Sequence, residues 1–122
     1  MGIDFLPDKP IYQQLIDRIL GDILNGTLTV GEKLPSVREY AVEAGVNANT
    51  MQRVYKELEQ MEITETRRGQ GSFVTEDEQK IAALRNDMKE QLVRTFLQSV
   101  AAFGFTKDEI VECLKDWGES ND

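Results

Sequence analysis

The stretch Leu34–Glu59, LPSVREYAVEAGVNANTMQRVYKELE, together with Arg67–Val74, RRGQGSFV, decides the fold. Ser36 precedes an apolar-periodic run and Glu39 stands three residues on, the pattern of a capping box that starts a helix. Val37, Tyr40, Ala41 and Ala44 then fall on one face, and Gly45 ends the helix in the left-handed conformation that glycine adopts at little cost. Asn47 is placed to cap a further helix only two residues later. So short a connection makes the two helices cross instead of running antiparallel, which is the helix-turn-helix arrangement. On the later helix Met51, Val54, Tyr55, Leu58 and Met61 recur at helical spacing and are expected to face the core. Asn49, Gln52, Arg53 and Lys56 occupy the opposite side, with Thr50 at its edge. Amides grip adenine, a guanidinium grips guanine, and lysine serves phosphate. A merely solvated helix face carries the same residue types. The two asparagines at the helix start favour the functional reading, because Asn is a mediocre helix former and that end faces anions well.

Downstream, Ile63–Thr66 and Ser72–Val74 flank the tight turn RRGQG. Gly69 and Gly71 permit positive φ at a hairpin tip, where Arg67 and Arg68 are expected to have no apolar partner. A hairpin after a helix-turn-helix is a wing, whose tip lies along the DNA backbone or minor groove. Upstream, Pro10 suits the first turn of a helix that Gly26 ends. Its apolar stripe is Ile11, Leu15, Ile16, Ile19, Leu20, Ile23 and Leu24, and Thr27–Lys33 follows as a loop with a short extended piece.

Beyond the wing, Ile81, Leu84, Met88, Leu92, Phe96, Val100 and Phe103 recur every 3.67 residues on average, about the helical period, and make one face of a long helix. Phe103-Gly104-Phe105 breaks it. Thr106 with Glu109 forms a second capping box, and Ile110, Cys113, Leu114 and Trp117 supply the stripe of a short last helix, with Cys113 read as a small core residue. Two helices of this size cannot bury Phe96, Phe103, Phe105 and Trp117 between themselves. Such an aromatic face is usually a partner surface, and a homodimer is the simplest partner.

At 122 residues the chain holds one ordinary domain plus an appendage, read here as a DNA-binding domain over residues 1–76 and a helical dimerisation segment over 77–122. Histidine is absent, which removes the commonest general base and metal ligand. One cysteine cannot form an internal disulfide and fits a reducing compartment. No run approaches the length that spans a bilayer, and the start lacks a basic and an apolar signal region, so a cytoplasmic protein with no membrane partner is expected. Asp108, Glu109, Glu112 and Asp116 read as a solvated helix face, and no metal or cofactor is expected. No nucleophile has a plausible base, which leaves enzyme as the least supported class. The net charge of −8 opposes a generic nucleic-acid binder. Residues 47–74 balance Arg53, Lys56, Arg67 and Arg68 against Glu57, Glu59, Glu62 and Glu65, so binding must rest on locally segregated basic groups.

PIYQQ at Pro10, GEKLPSVRE at Gly31, VNANT at Val46 and TRRGQGSFV at Thr66, in this order, resemble the winged-helix domain of GntR-family bacterial transcription regulators. VNANTMQRVYKELE with a short tail is most similar to the YtrA-like subfamily. The resemblance implies operator contacts at Arg38, at Asn49, Thr50 and Gln52, and at Gly69 with its wing neighbours. It also implies dimerisation through the tail and control of a membrane-transporter operon. Many relatives carry Arg where this chain has Ala48 and Gln52, so their guanine contact does not carry over. Glu62 stands where glycine usually ends the recognition helix, so a strained or shortened helix end is expected there.

The residues and the resemblance together give a mainly α fold with a small β-hairpin wing, a winged helix-turn-helix followed by two dimerisation helices. The expected function is a sequence-specific repressor, homodimeric on an inverted-repeat double-stranded operator. The expected DNA-contacting set is Ser36, Arg38, Asn47, Asn49, Thr50, Gln52, Arg53, Lys56, Arg67, Arg68, Gly69 and Gln70. The expected dimer face is Leu84, Met88, Leu92, Phe96, Val100, Phe103, Leu114 and Trp117. Two other readings fit the same residues: a winged-helix adaptor that binds protein, and a regulator gated by a small apolar effector ligand near Phe96, Phe103 and Trp117.

Overall fold

The computed structural model describes residues 2–121, with side chains described through Gly118. The elements run α1 (Ile11–Leu24), α2 (Val37–Ala44), α3 (Ala48–Gln60), β1 (Thr64–Arg67), β2 (Gly71–Val74), α4 (Glu78–Ala102) and α5 (Lys107–Asn121). This is the expected class, mainly helical with one antiparallel hairpin after a helix-turn-helix. Two compact units meet inside α4, one ending at Ala83 and the other beginning at Leu84.

In the first unit α1 and α2 both pack on α3. Leu15 and Ile19 of α1, Met51, Val54 and Leu58 of α3, and Val74 of β2 are fully buried, and each such side chain stabilises by about 1.5–3 kcal/mol through transfer from water. Ala41 and Ala44 of α2 are small enough to let that helix cross α3 closely, and both are buried. Two apolar residues depart from the sequence reading. Met61 is exposed, because α3 ends at Gln60 and carries the next residue off the buried stripe, and Ile11 is exposed at the first turn of α1.

The helix ends explain the geometry. Ser36 and Glu39 form the complete capping box: the Glu39 amide donates to Ser36 Oγ at 3.1 Å and the Ser36 amide donates to Glu39 Oε1 at 2.9 Å. The Ser36 backbone bond, reinforced by its hydroxyl, holds the Glu39 carboxyl below its ordinary pKa. Gly45 closes α2 at φ 74°, and the Val46 amide then reaches back to the Ala41 carbonyl at 2.9 Å. The same closure ends α3 without glycine. Glu62 sits at φ 61°, the Glu62 amide donates to the Glu59 carbonyl at 2.9 Å, and the Ile63 amide donates to Leu58 at 3.1 Å. The strain expected at this helix end is therefore real and localised in one residue.

Glycine at this position removes a penalty of about 1–2 kcal/mol for a left-handed L-residue, and its freedom in the unfolded chain takes back about 0.4–1 kcal/mol. The exposed pair between Glu62 and Lys80 Nζ, 3.2 Å apart, contributes little. Glu62→Gly is accordingly expected to stabilise the first unit by about 0.5–1 kcal/mol, read as a raised urea midpoint at unchanged slope. A midpoint that stays or falls removes the strain argument.

The hairpin pairs Thr64 with Val74 and Arg67 with Gly71. The strands reach one residue nearer the tip than the sequence suggested, so Arg67 belongs to β1 and the loop is Arg68-Gly69-Gln70. The extended piece of the preceding loop lies along the other edge of β2. The Leu34 amide donates to Ser72 at 2.8 Å, and the Val74 amide donates to Glu32 at 2.8 Å. The wing is thus backed on both sides of β2 and positioned against the start of α2.

In the second unit α4 ends at a turn in which Gly104 takes φ 75° and the Phe105 amide donates to the Val100 carbonyl at 3.1 Å. Thr106 Oγ1 accepts the Glu109 amide at 3.1 Å and starts α5. Leu84 and Val100 are buried, whereas Leu92, Phe96, Phe103, Phe105, Leu114 and Trp117 are exposed. Cys113 is exposed, not a core residue, because the α5 stripe on which it lies has no covering element within the described chain.

Candidate nucleic-acid interface

The face opposite the α3 core is built by three elements: the first turn of α2, the outer side of α3, and the wing. Met51, Val54, Tyr55 and Leu58 anchor α3 inward, so Asn49, Gln52 and Lys56, spaced three and four apart, are exposed together with Ala48. Thr50 is half-buried at the edge of this array. Tyr55 locks α3 to the entry of α2, its hydroxyl donating to the Pro35 carbonyl at 2.6 Å and its ring meeting Tyr40 edge-on at 6.4 Å. Burial, then the neighbouring Tyr40, pushes the Tyr55 phenol well above its ordinary range, so it stays a donor. This tie sets the position of Arg38, exposed in the first turn of α2, relative to α3.

Two clefts run beside the wing. One, about 370 Å³, is lined by Lys33, Ser36, Glu39, Gln70, Gly71 and Ser72, among others. The other, about 320 Å³, is lined by Gln52, Lys56, Glu59, Thr66 and Ser72 with parts of Val37 and Tyr55. The structure thus brings Ser36 and Gln70 into one cleft and Gln52 and Lys56 into the next. Gly69, at φ 76°, shapes the tip between Arg68 and Gln70, and the Gln70 amide closes the turn on the Arg67 carbonyl at 2.9 Å.

Several residues of the expected set are occupied within the chain. Asn47 caps α3, its side-chain oxygen accepting the Asn49 amide at 2.7 Å. The Arg53 guanidinium lies over the Tyr12 ring, 3.6 Å from its centroid, and its Nε is 3.7 Å from Glu57. Arg67 does have an apolar partner, against expectation: it lies 4.1 Å from the Phe73 ring centroid and 3.4 Å from Glu76. The alternation of strand side chains puts Arg67 and Phe73 on one face of the hairpin, which the turn motif alone did not reveal. Thr66 donates to Glu59, tying the wing to the last turn of α3. Arg38, Lys56 and Arg68 make no ion pair among the described residues.

Lys33 was absent from the expected set although it lines the cleft with Ser36 and its backbone bridges Phe73. The signal was present in GEKLPS, where a lysine directly precedes the capped helix, but its nearness to the wing depends on a pairing remote in sequence. The interface therefore has few free cations, and they are spread over α2, α3, the wing and the loop behind it. Among the described residues no group of three or more His, Cys, Asp and Glu is arranged to hold a metal ion, and no helix is long and apolar enough to cross a membrane.

The sequence model of bacterial regulatory proteins of the gntR family matches residues 11–74. The chain is 40% identical over 119 residues to the HTH-type transcriptional regulator YhcF of Bacillus subtilis, with 98% of each chain covered. It is 37% identical over 97 residues to the HTH-type transcriptional repressor YtrA of the same organism, with 75% of each covered. Among solved structures, a GntR family transcriptional regulator from Listeria monocytogenes matches with a TM-score of 0.87 and 42% identity, covering 92% of this chain and 98% of that one. The match, the fold and the exposed amide-bearing helix agree, and the chain belongs to the GntR family of DNA-binding transcription regulators, which are not enzymes.

Proposed function

We propose that the protein is a homodimeric repressor acting in the cytoplasm on an inverted-repeat operator. In this reading residues 1–76 read DNA and residues 77–122 hold two copies together. The observation that carries it is the conjunction of a complete winged helix with a second unit that leaves Leu92, Phe96, Phe103, Leu114 and Trp117 exposed. Large apolar side chains exposed along α4, the turn after it and α5, Phe105 included, form the kind of patch that partners cover. A two-fold pair solves this with one surface, and two half-sites one turn of DNA apart call for two α3 helices about 34–36 Å apart. Leu84 and Val100 are buried within their own chain and Met88 is half-buried, so the dimer face is centred on the other five.

DNA contact is assigned to Arg38, Asn49, Thr50, Gln52, Lys56, Arg68, Gly69 and Gln70, with Ser36 presenting the start of α2 to phosphate. Asn47, Arg53 and Arg67 shape the reader from within. Repression rests on likeness to the HTH-type transcriptional repressor YtrA, and control of a membrane-transporter operon rests on the subfamily resemblance alone. An apolar groove of about 660 Å³ runs along α4, lined by Val93, Leu97 and Ala101 with the stems of Lys89 and Arg94, and its lining does not include Phe96, Phe103 or Trp117, where an effector was expected.

The test is a fluorescence-anisotropy titration of the full chain against inverted repeats selected from random DNA, at fixed salt, with sedimentation of the complex. The expected result is one dimer per repeat and a selected site bound at least about 1,000-fold more tightly than random DNA. Binding with no sequence preference and no salt dependence would instead support a protein-binding adaptor.

A further inference from the structure

Building on the DNA-binding reading, we infer that the base pairs under α3 are A·T pairs, read by Asn49, Gln52 and the small apolar groups beside them, and that no guanidinium of α3 reads a base. The argument starts from what the fold removes from the exposed face. Arg53 is the one arginine on α3, and arginine is the side chain that grips guanine O6 and N7. Its guanidinium is drawn toward α1, stacked on Tyr12 and flanked by Glu57 one turn on. Releasing it for a base means giving up the ring contact and an exposed ion pair with Glu57. Asn47 cannot present a two-point grip either, because its oxygen is held by the Asn49 amide. What remains on the outer face of α3 is two carboxamides, one turn apart, and the methyl groups of Ala48 and Thr50.

Those groups have a defined complement. A carboxamide offers one acceptor and one donor side by side, matching the N6 amino group and N7 of adenine. Methyl groups of Ala and Thr meet the C5-methyl of thymine. Guanine presents two acceptors in the same place and leaves the carboxamide oxygen facing an acceptor. Lys56, one turn beyond Gln52, lines the cleft next to the wing and suits phosphate there, as a point charge without the planar fork that reads guanine. Any guanine in the half-site is then read from another element, where Arg38 and Arg68 make no ion pair among the described residues.

The experiment selects half-sites from randomised DNA with the full chain, then repeats the selection with Asn49→Ala and Gln52→Ala, both exposed positions checked for fold by circular dichroism. The positions whose preference disappears in these variants are the ones α3 reads. They are expected to be A·T, and 7-deazaadenine at those positions, which lacks the N7 acceptor, is expected to weaken wild-type binding about tenfold. The modified base needs no protein variant, so it tests the inference even if a substitution misfolds. Arg53→Ala is expected to leave every base preference in place. G·C at the α3-dependent positions, an unchanged affinity for 7-deazaadenine sites, or a lost guanine preference in Arg53→Ala overturns the inference. If no selected sequence outcompetes random DNA, the operator reading itself falls and this inference with it.

Discussion

Replacing Leu92 and Phe96 together by Asp is expected to leave a folded reader that is monomeric and binds the full operator at least about 100-fold more weakly. Both side chains are exposed in the single chain, so charging them costs the isolated fold little. In a two-fold pair each substitution occurs twice, and every apolar side chain lost from the interface removes about 1.5–3 kcal/mol of transfer energy. Four such losses, with carboxylates left facing one another, exceed what a dimer of this size can absorb. The DNA effect is larger than any single contact, because tethering turns the second half-site into an intramolecular event worth 10²–10⁴ in affinity, roughly, at no cost in new contacts. Sedimentation gives the mass, and anisotropy on full and half operators gives the affinity. A variant that stays dimeric places the interface elsewhere. A variant that is monomeric yet binds the full operator normally shows that dimerisation is not what makes the site selective.

Arg38→Ala with Arg68→Ala is expected to lower operator affinity by about 100-fold or more and to flatten its salt dependence. Each arginine is exposed and makes no ion pair among the described residues, so it approaches DNA as a full charge. A charge-assisted hydrogen bond contributes about 1.5–3 kcal/mol, and 1.4 kcal/mol is tenfold in affinity. The dimer loses two copies of each. Where the contacts are to phosphate, the slope of log affinity against log salt falls by about 0.9 per contact. In a chain of net charge −8 few other cations can compensate. Arg67→Ala is the matched control: Arg67 lies over Phe73 beside Glu65 and Glu76, so its loss loosens the wing and lowers stability while changing the salt slope less. Equal slopes for the double variant and the wild type would contradict the assignment of these two residues.

The helix-turn-helix was legible because its signals are local. A capping box, a left-handed glycine and an asparagine cap each depend on residues five or fewer positions apart, and all three formed as read. Glu62 was legible for the same reason: the backbone closure at the end of α3 demands positive φ of whatever residue occupies it. The candidate site was legible only in part. Which residues lie on the outer face of α3 follows from a period of 3.6, but whether a side chain on that face is free depends on what lies beside it. Tyr12 stands 41 positions before Arg53 in sequence, and no pattern around either residue announces their contact. Arg67 and Phe73 are closer, yet their contact depends on a strand register one residue longer than the turn residues suggested.

Sequence alone determined the order of the elements, the inward faces of α1, α2 and α3, and the residue types offered to DNA, because helix periodicity and capping act over a turn or less of chain. Tertiary structure decided which of those groups remain available. It stacked Arg53 on α1 and Arg67 on β2, spent Asn47 on a cap, and brought Lys33 beside Ser36 and the wing tip. The physical reason is that a guanidinium is satisfied by an aromatic face and a carboxylate wherever the fold supplies them, and only the fold sets those distances.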